Sequence, residues 1–180
     1  DLLAAIDVAI GEIIDSGEYA DIFAATFGDE IIALTDDTTG DTATEYPAEP
    51  SGTLADVLAA EELVFGADMY YPPFESYDDD GNCVGFDCDM AVAIAARIAA
   101  HYGQNLTGTM KEKTWDDLLA FEYNDYDASL TAMTKTAQRA EHADFSRSYY
   151  TAAQGVLASS DSPTITGMDD LNWINEPPTA

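Results

Sequence analysis

The chain has 180 residues and sets 35 Asp+Glu against 6 Lys+Arg, a formal net charge of −29. That balance excludes nucleic-acid binding through phosphate contacts, which needs clustered Lys and Arg, and no run of 18 apolar residues is present to cross a membrane. Length and a 47% hydrophobic fraction fit one globular domain with a proper core. Lys is scarce while Asp, Ala and Thr abound, which reads as adaptation to high salt. At molar ionic strength the Debye length falls to roughly 3 Å and self-repulsion is screened. The plainer reading is an ordinary acidic protein.

In chain order, Leu3, Ile6, Ile10, Ile13 and Ile14 recur at helical spacing, with Ser16-Gly17 as the stop. Glu18 to Phe27 predicts a second, shorter helix ending at Gly28. Residues 29 to 52 hold Thr35-Asp36-Asp37-Thr38-Thr39-Gly40-Asp41 and Pro47-Ala48-Glu49-Pro50-Ser51-Gly52, a linker composition in which Ile31-Ile32-Ala33-Leu34 forms a short anchored segment. Leu63 to Ala67 predicts a buried strand, and Val84 to Phe86 is expected to pair with it after an Asp-rich turn. Asp87 to Tyr102 is an Ala-rich helix that buries Met90, Ile94 and Ile98 and stops at Gly103. Leu106 to Met110 follows as a strand, Thr114 to Phe121 as a helix capped by Thr114, and Ala128 to Met133 as a further strand. Strands alternating with helices predict an α/β fold: a three-layer sandwich with a mostly parallel sheet.

Residues 127 to 146 are the most informative. A short strand is followed by Thr134-Lys135-Thr136, a helical turn carrying Arg139, and Asp144-Phe145-Ser146. Hydroxyls, free N–H groups and a guanidinium at the carboxyl end of a strand suit a small anion. Asp78, Asp80, Gly81 and Asp87 echo a calcium loop, but Ser76 stands at its first ligand position and Asp87, not Glu, at its last. A hairpin turn with Asp87 as a helix N-cap explains them better, and neither a metal nor a cofactor is expected. Cys83 and Cys88 read as small buried hydrophobes, with a disulfide the less favoured alternative because strand-to-helix geometry separates the sulfurs.

Several motifs together resemble the extracellular solute-binding proteins that deliver polar amino acids to ABC importers (family 3). They are Leu63-Val64-Phe65-Gly66-Ala67-Asp68 with Tyr71-Pro72-Pro73-Phe74, Gly85-Phe86-Asp87-Cys88-Asp89-Met90, Trp115-Asp116-Asp117-Leu118-Leu119, the 127–146 segment, and Tyr149-Tyr150 with Gly155-Val156-Leu157. They run in family order over about residues 53–171, the family's first lobe. The resemblance implies a periplasmic-binding-protein-like (type II) single lobe, at the cell surface or in the periplasm. Its second lobe is expected to be absent after Met168-Asp169-Asp170-Leu171. Residues 1–28, through Asp15-Ser16-Gly17-Glu18-Tyr19-Ala20-Asp21, resemble the family's last two helices, which implies either a circularly permuted order or a piece cut across the junction of two tandem copies. The implied layout is closing helices at 1–28, a polar linker at 29–52, the α/β core at 53–171 and a tail at 172–180, all in one compact domain.

The resemblance also assigns a site. Arg139 is implied to clamp a ligand α-carboxylate; its plain alternative is a surface ion pair with Glu141. Thr134 would add a hydroxyl and an N–H to that carboxylate. Thr131 and the Ala132 carbonyl would face the ligand ammonium, though Thr131 equally suits a strand. Tyr71 would stack on the ligand side chain. Asp68 would meet a cationic or hydrogen-bonding group, or else brace its loop. Trp115 falls at a packing position. The implied function is a non-enzymatic binding module for a polar amino acid or similar zwitterion. Its implied partners are ABC-importer membrane subunits, with a missing second lobe or self-association to complete the cleft. Alternatives are an amino-acid-sensing or structural lobe with an incomplete site, or a dehydratase-like enzyme fragment.

Overall fold

The computed structural model describes residues 1–28 and 42–152. Two sheets and six helices make up that part. Helix α1 (Leu2–Ser16) ends at Gly17, which takes the left-handed conformation (φ 86°) and donates its N–H to the Ile14 carbonyl, and α2 (Glu18–Phe27) follows at once. The segment from 42 to 52 leads into α3 (Thr53–Ala60) and β1 (Glu62–Ala67). Strands β2 (Tyr70–Tyr71), β3 (Glu75–Tyr77) and β4 (Cys83–Val84) come next, then α4 (Phe86–Tyr102), β5 (Thr107–Glu112), α5 (Trp115–Leu119), β6 (Ala128–Ser129) and α6 (Ala137–Ala140).

The main sheet is parallel throughout, in the order β5-β1-β6. Strand β1 alternates as a strand with two covered faces should. Leu63 and Phe65 point into the main core with Ile10, Ile13, Met90, Ile94 and Ile98, whereas a Cβ on Gly66 would lie 2.8 Å from the Tyr126 ring. Each large aliphatic side chain buried in this way contributes about 1.5–3 kcal/mol. Helix α4 approaches β5 through small residues, since a Cβ on Gly108 would collide with the Ala91 carbonyl oxygen. The helices predicted at 1–28 are integral: α1 packs on α4, and Arg97 of α4 pairs with Glu18 at 2.5 Å and bonds Ser16 at 2.8 Å.

Several expectations are corrected. Residues 84–86 do not pair with β1. Strand β4 instead closes an antiparallel hairpin with β3, Ser76 opposite Val84 and Tyr77 opposite Cys83. The Asp78 carboxylate fixes that turn by accepting the Asp80 and Asn82 N–H groups at 2.9 and 2.8 Å. Phe86 belongs to α4, whose first turn is anchored by Phe86 and Asp87 N–H bonds to the Pro73 and Phe74 carbonyls. Asp87 is therefore inside the helix; Gly85 is the residue before it.

Cys83 and Cys88 form a disulfide, with Cα atoms 5.8 Å apart. Gly85, at φ 125°, turns the chain so sharply that strand end and first helical turn meet. Helix α3 is an element the sequence reading lacked. Part of the predicted linker is docked: Tyr102 donates to the Pro47 carbonyl at 2.7 Å, and Tyr46 to Glu12 at 3.0 Å. The segment Ile31-Ile32-Ala33-Leu34, the motif at 155–157 and the tail lie outside the described residues.

Candidate functional site

The carboxyl ends of β1 and β6 open into a cavity of about 330 Å³ lined by Asp68, Tyr71, Trp115, Thr131, Ala132, Thr134 and Arg139. All six residues singled out in the sequence lie around this one space, and Trp115 joins them. Asp68 follows β1 directly; Thr131 and Ala132 follow β6. The topology explains the convergence: neighbouring parallel strands deliver their exit loops to the same edge of the sheet.

Arg139 sits in the single turn of α6, where the Thr136 hydroxyl accepts its N–H at 3.2 Å. Its guanidinium lies over the Trp115 ring, 5.3 Å from the centroid, and one terminal nitrogen donates to the Thr134 carbonyl at 2.7 Å. The aromatic face and the carbonyl hold the fork in place, and its remaining donors make no hydrogen bond among the described residues. No ion pair with Glu141 forms among them either. Trp115 is thus the support of the arginine rather than mere packing. The sequence signal for it was a helix start capped by Thr114, which fixes where the indole emerges.

Strand β6 is shorter than predicted because Thr131 and Ala132 are drawn off the sheet. The Thr131 side chain is buried, donating to Glu75 and accepting the Asp68 N–H at 3.2 Å. Ala132 adopts a left-handed φ of 47°, and its N–H points at the Asp87 carboxylate (2.7 Å) and the Tyr149 hydroxyl (3.1 Å). Tyr149 in turn donates to Asp87 at 3.1 Å. The Thr131 hydroxyl is therefore engaged inside the protein.

Glu75 and Asp87 are both fully buried. Burial raises the Glu75 carboxyl to about 8, with Asp87 and Asp68 adding to the rise. Burial also raises Asp87, while the Ala132 N–H and the Tyr149 hydroxyl oppose that. Sequence reading missed this layer beneath the cavity. An acid directly after Phe74, in a strand that buries it, was the available signal.

Tyr71 stacks on Phe74 at 5.5 Å, at the rim of an aromatic cluster that includes Phe27, Phe86 and Tyr150. It is half exposed and lines the cavity. No group of three or more His, Cys, Asp or Glu suited to a metal occurs among the described residues.

The chain is 32% identical over 105 residues to the ABC transporter arginine-binding protein 1 of Escherichia coli (strain K12), covering 58% of this chain and 41% of that protein. It is 33% identical over 107 residues to a probable histidine-binding protein of Neisseria gonorrhoeae, covering 59% and 37%. Among solved structures, the arginine-bound form of domain 1 from TmArgBP matches 48% of this chain and 64% of its own at 31% identity and TM-score 0.39. An ancestral cationic amino acid solute-binding protein matches 50% and 37% at 28% identity and TM-score 0.44. The chain spans about two fifths of the length of the curated relatives it matches. The family model for bacterial extracellular solute-binding proteins, family 3, matches residues 63–176; with that match over more than half its length, the chain belongs to this family of binding proteins.

Proposed function

We propose that the cavity at the carboxyl edge of the sheet binds a polar amino acid or similar zwitterion, as one face of an uptake module feeding an ABC importer. The observation that carries this reading is the convergence of Arg139, Thr134, Ala132, Asp68 and Tyr71 on one space, with the guanidinium braced by Trp115 and its other donors making no hydrogen bond among the described residues. The ligand carboxylate takes two parallel bonds from Arg139 and one from Thr134. Asp68 and the backbone after β6 face the positive end of the zwitterion. Relatives named for arginine and histidine support a cationic side chain near Asp68.

A second surface closes the cleft in this reading, either a second lobe or a second copy of the chain. Helices α1 and α2 then stand where the family's closing helices do, in permuted order. Location outside the cytoplasm accords with the disulfide. With one lobe alone, affinity is expected in the millimolar range, about −4 kcal/mol.

The test is a thermal-shift and calorimetric screen of the twenty amino acids against wild type and Arg139→Ala. A charged hydrogen bond contributes about 1.5–3 kcal/mol, so Arg139→Ala should weaken the best ligand roughly 10- to 150-fold. Equal binding by both proteins would sink the assignment of Arg139.

A further inference from the structure

We propose that Glu75 and Asp87 form a proton-sharing latch beneath the cleft, which sets the Thr131–Ala132 corner and makes ligand affinity depend on that proton. This rests on the binding role proposed above.

The corner hangs from these two carboxyls, with the Tyr149 hydroxyl as a further acceptor for the Ala132 N–H at 3.1 Å. Glu75, on β3, receives the Thr131 hydroxyl, and Asp87, in the first turn of α4, receives the Ala132 N–H at 2.7 Å. Thr131 and Ala132 are the pair that leaves β6 to line the cavity, and Ala132 does so at φ 47°, a conformation alanine rarely takes unless it is held. Through Thr131 the latch reaches Asp68 as well, whose N–H bonds the same hydroxyl oxygen at 3.2 Å. One buried pair thus places three cavity-lining residues.

The pair needs a proton. Asp87 Oδ2 accepts from two donors, the Ala132 N–H and the Tyr149 hydroxyl. Glu75 Oε2 and Asp87 Oδ1 are both buried without a hydrogen-bond partner among the described residues. Both carboxyls are buried and hold the successive residues Thr131 and Ala132, and a Glu75 carboxylic acid donating to Asp87 removes the need for two buried anions beneath one corner. The charged or titratable groups acting on the pair are Asp68, which raises Glu75 further, and Tyr149, whose buried hydroxyl stays protonated throughout. Removing the proton leaves Glu75 and Asp87 both ionised and buried, with the Asp68 charge acting on Glu75. The corner is then the part that can move, because Ala132 gains by relaxing to an extended backbone.

The experiment combines a readout without ligand and one with it. In wild type the Ala132 amide resonance should titrate with a midpoint near 8, following the Glu75 carboxyl. In Glu75→Gln, whose neutral amide stands in for the protonated acid, the amide should not move between pH 6 and 9.5. With L-arginine as probe, wild-type affinity should fall at least fivefold relative to Glu75→Gln from pH 6.5 to 9; the ligand's own deprotonation cancels in the ratio. An Ala132 resonance that is invariant in wild type, or that titrates identically in Glu75→Gln, overturns the latch, as do parallel affinity profiles. If Ala132 titrates as described but neither protein binds any of the twenty amino acids, the latch stands and the binding role falls.

Discussion

The Arg147 main-chain N–H donates to the Asp7 carboxylate at 2.6 Å across 140 residues of chain. Asp7 lies on α1, is 2% exposed, and also accepts the Ala43 N–H at 3.3 Å. One buried acid therefore ties the first helix to the docked part of the linker and to the segment after α6. The Arg147 side chain covers Gly11 on the same helix, where a Cβ would stand 2.6 Å from a guanidinium nitrogen.

Asp7→Ala leaves two part-buried N–H groups without their acceptor. A hydrogen bond to a charged group contributes about 1.5–3 kcal/mol, so the expected loss is about 3 kcal/mol in urea unfolding. Asp7→Asn keeps an acceptor and should lose about half as much. Equal, negligible losses in both would mean that α1 is not fastened through this carboxylate.

Gly108→Ala tests how α4 meets the sheet. The added methyl runs into the Ala91 carbonyl, a backbone atom that cannot swing aside. Overpacking of this kind costs typically 1–3 kcal/mol, and this site should stand at the upper end, about 3 kcal/mol. Gly103→Ala makes a useful comparison. Gly103 caps α4 at φ 61° with nothing near its missing Cβ, so its cost of about 1 kcal/mol is purely conformational. A smaller loss at Gly108 than at Gly103 would contradict the close approach.

Local periodicity made α1, α2, α4 and β5 legible, because their apolar positions and glycine stops lie within one or two turns of each other. The residues around the cavity were legible through motif order along the chain. What stayed hidden depends on partners distant in sequence. The length of β6 is decided by Glu75 and Asp87, 56 and 45 residues away from Thr131 and Ala132 respectively. The hairpin that takes β4 from the main sheet is decided by Asp78, and the disulfide by the turn at Gly85. Trp115 was missed for another reason: an indole at a helix start fits packing and cation support equally well until Arg139 is placed above it.

Stability should fall with rising pH through the Glu75 range. Its folded value, about 8, lies above its unfolded value near 4.5, so the folded state binds the extra proton between them. The contribution is fully present below about 4.5 and is lost as pH climbs through 8. Asp87 is also raised and acts with the same sign at lower pH. Melting temperatures of wild type and Glu75→Gln across pH 5–9 isolate the effect from the general repulsion of an acidic surface. The wild-type curve should drop relative to the variant between about pH 5 and 8 and level off above that. Parallel curves would place the Glu75 proton elsewhere.

The Cys83–Cys88 bridge closes a very short loop, with a sequence separation of 5. Loop-closure entropy then gives only roughly 2 kcal/mol. The paired Cys83→Ser, Cys88→Ser protein should still fold, melt several degrees lower, and keep its far-UV spectrum. Failure to fold would mean that the bridge also holds the start of α4, and with it Asp87, in place.

Salt should stabilise this protein strongly. A net charge of −29 on 180 residues sets carboxylates close together over the whole surface, and screening length falls from about 10 Å at 0.1 M to about 3 Å at 1 M. If relief of repulsion is the cause, most of the rise in melting temperature with KCl should come below roughly 0.5 M and then level off. A rise that continues linearly to 3 M indicates instead that salt acts by strengthening apolar burial. A flat response would remove the reading of this composition as adaptation to high salt, because the acidic surface would then be stable without screening.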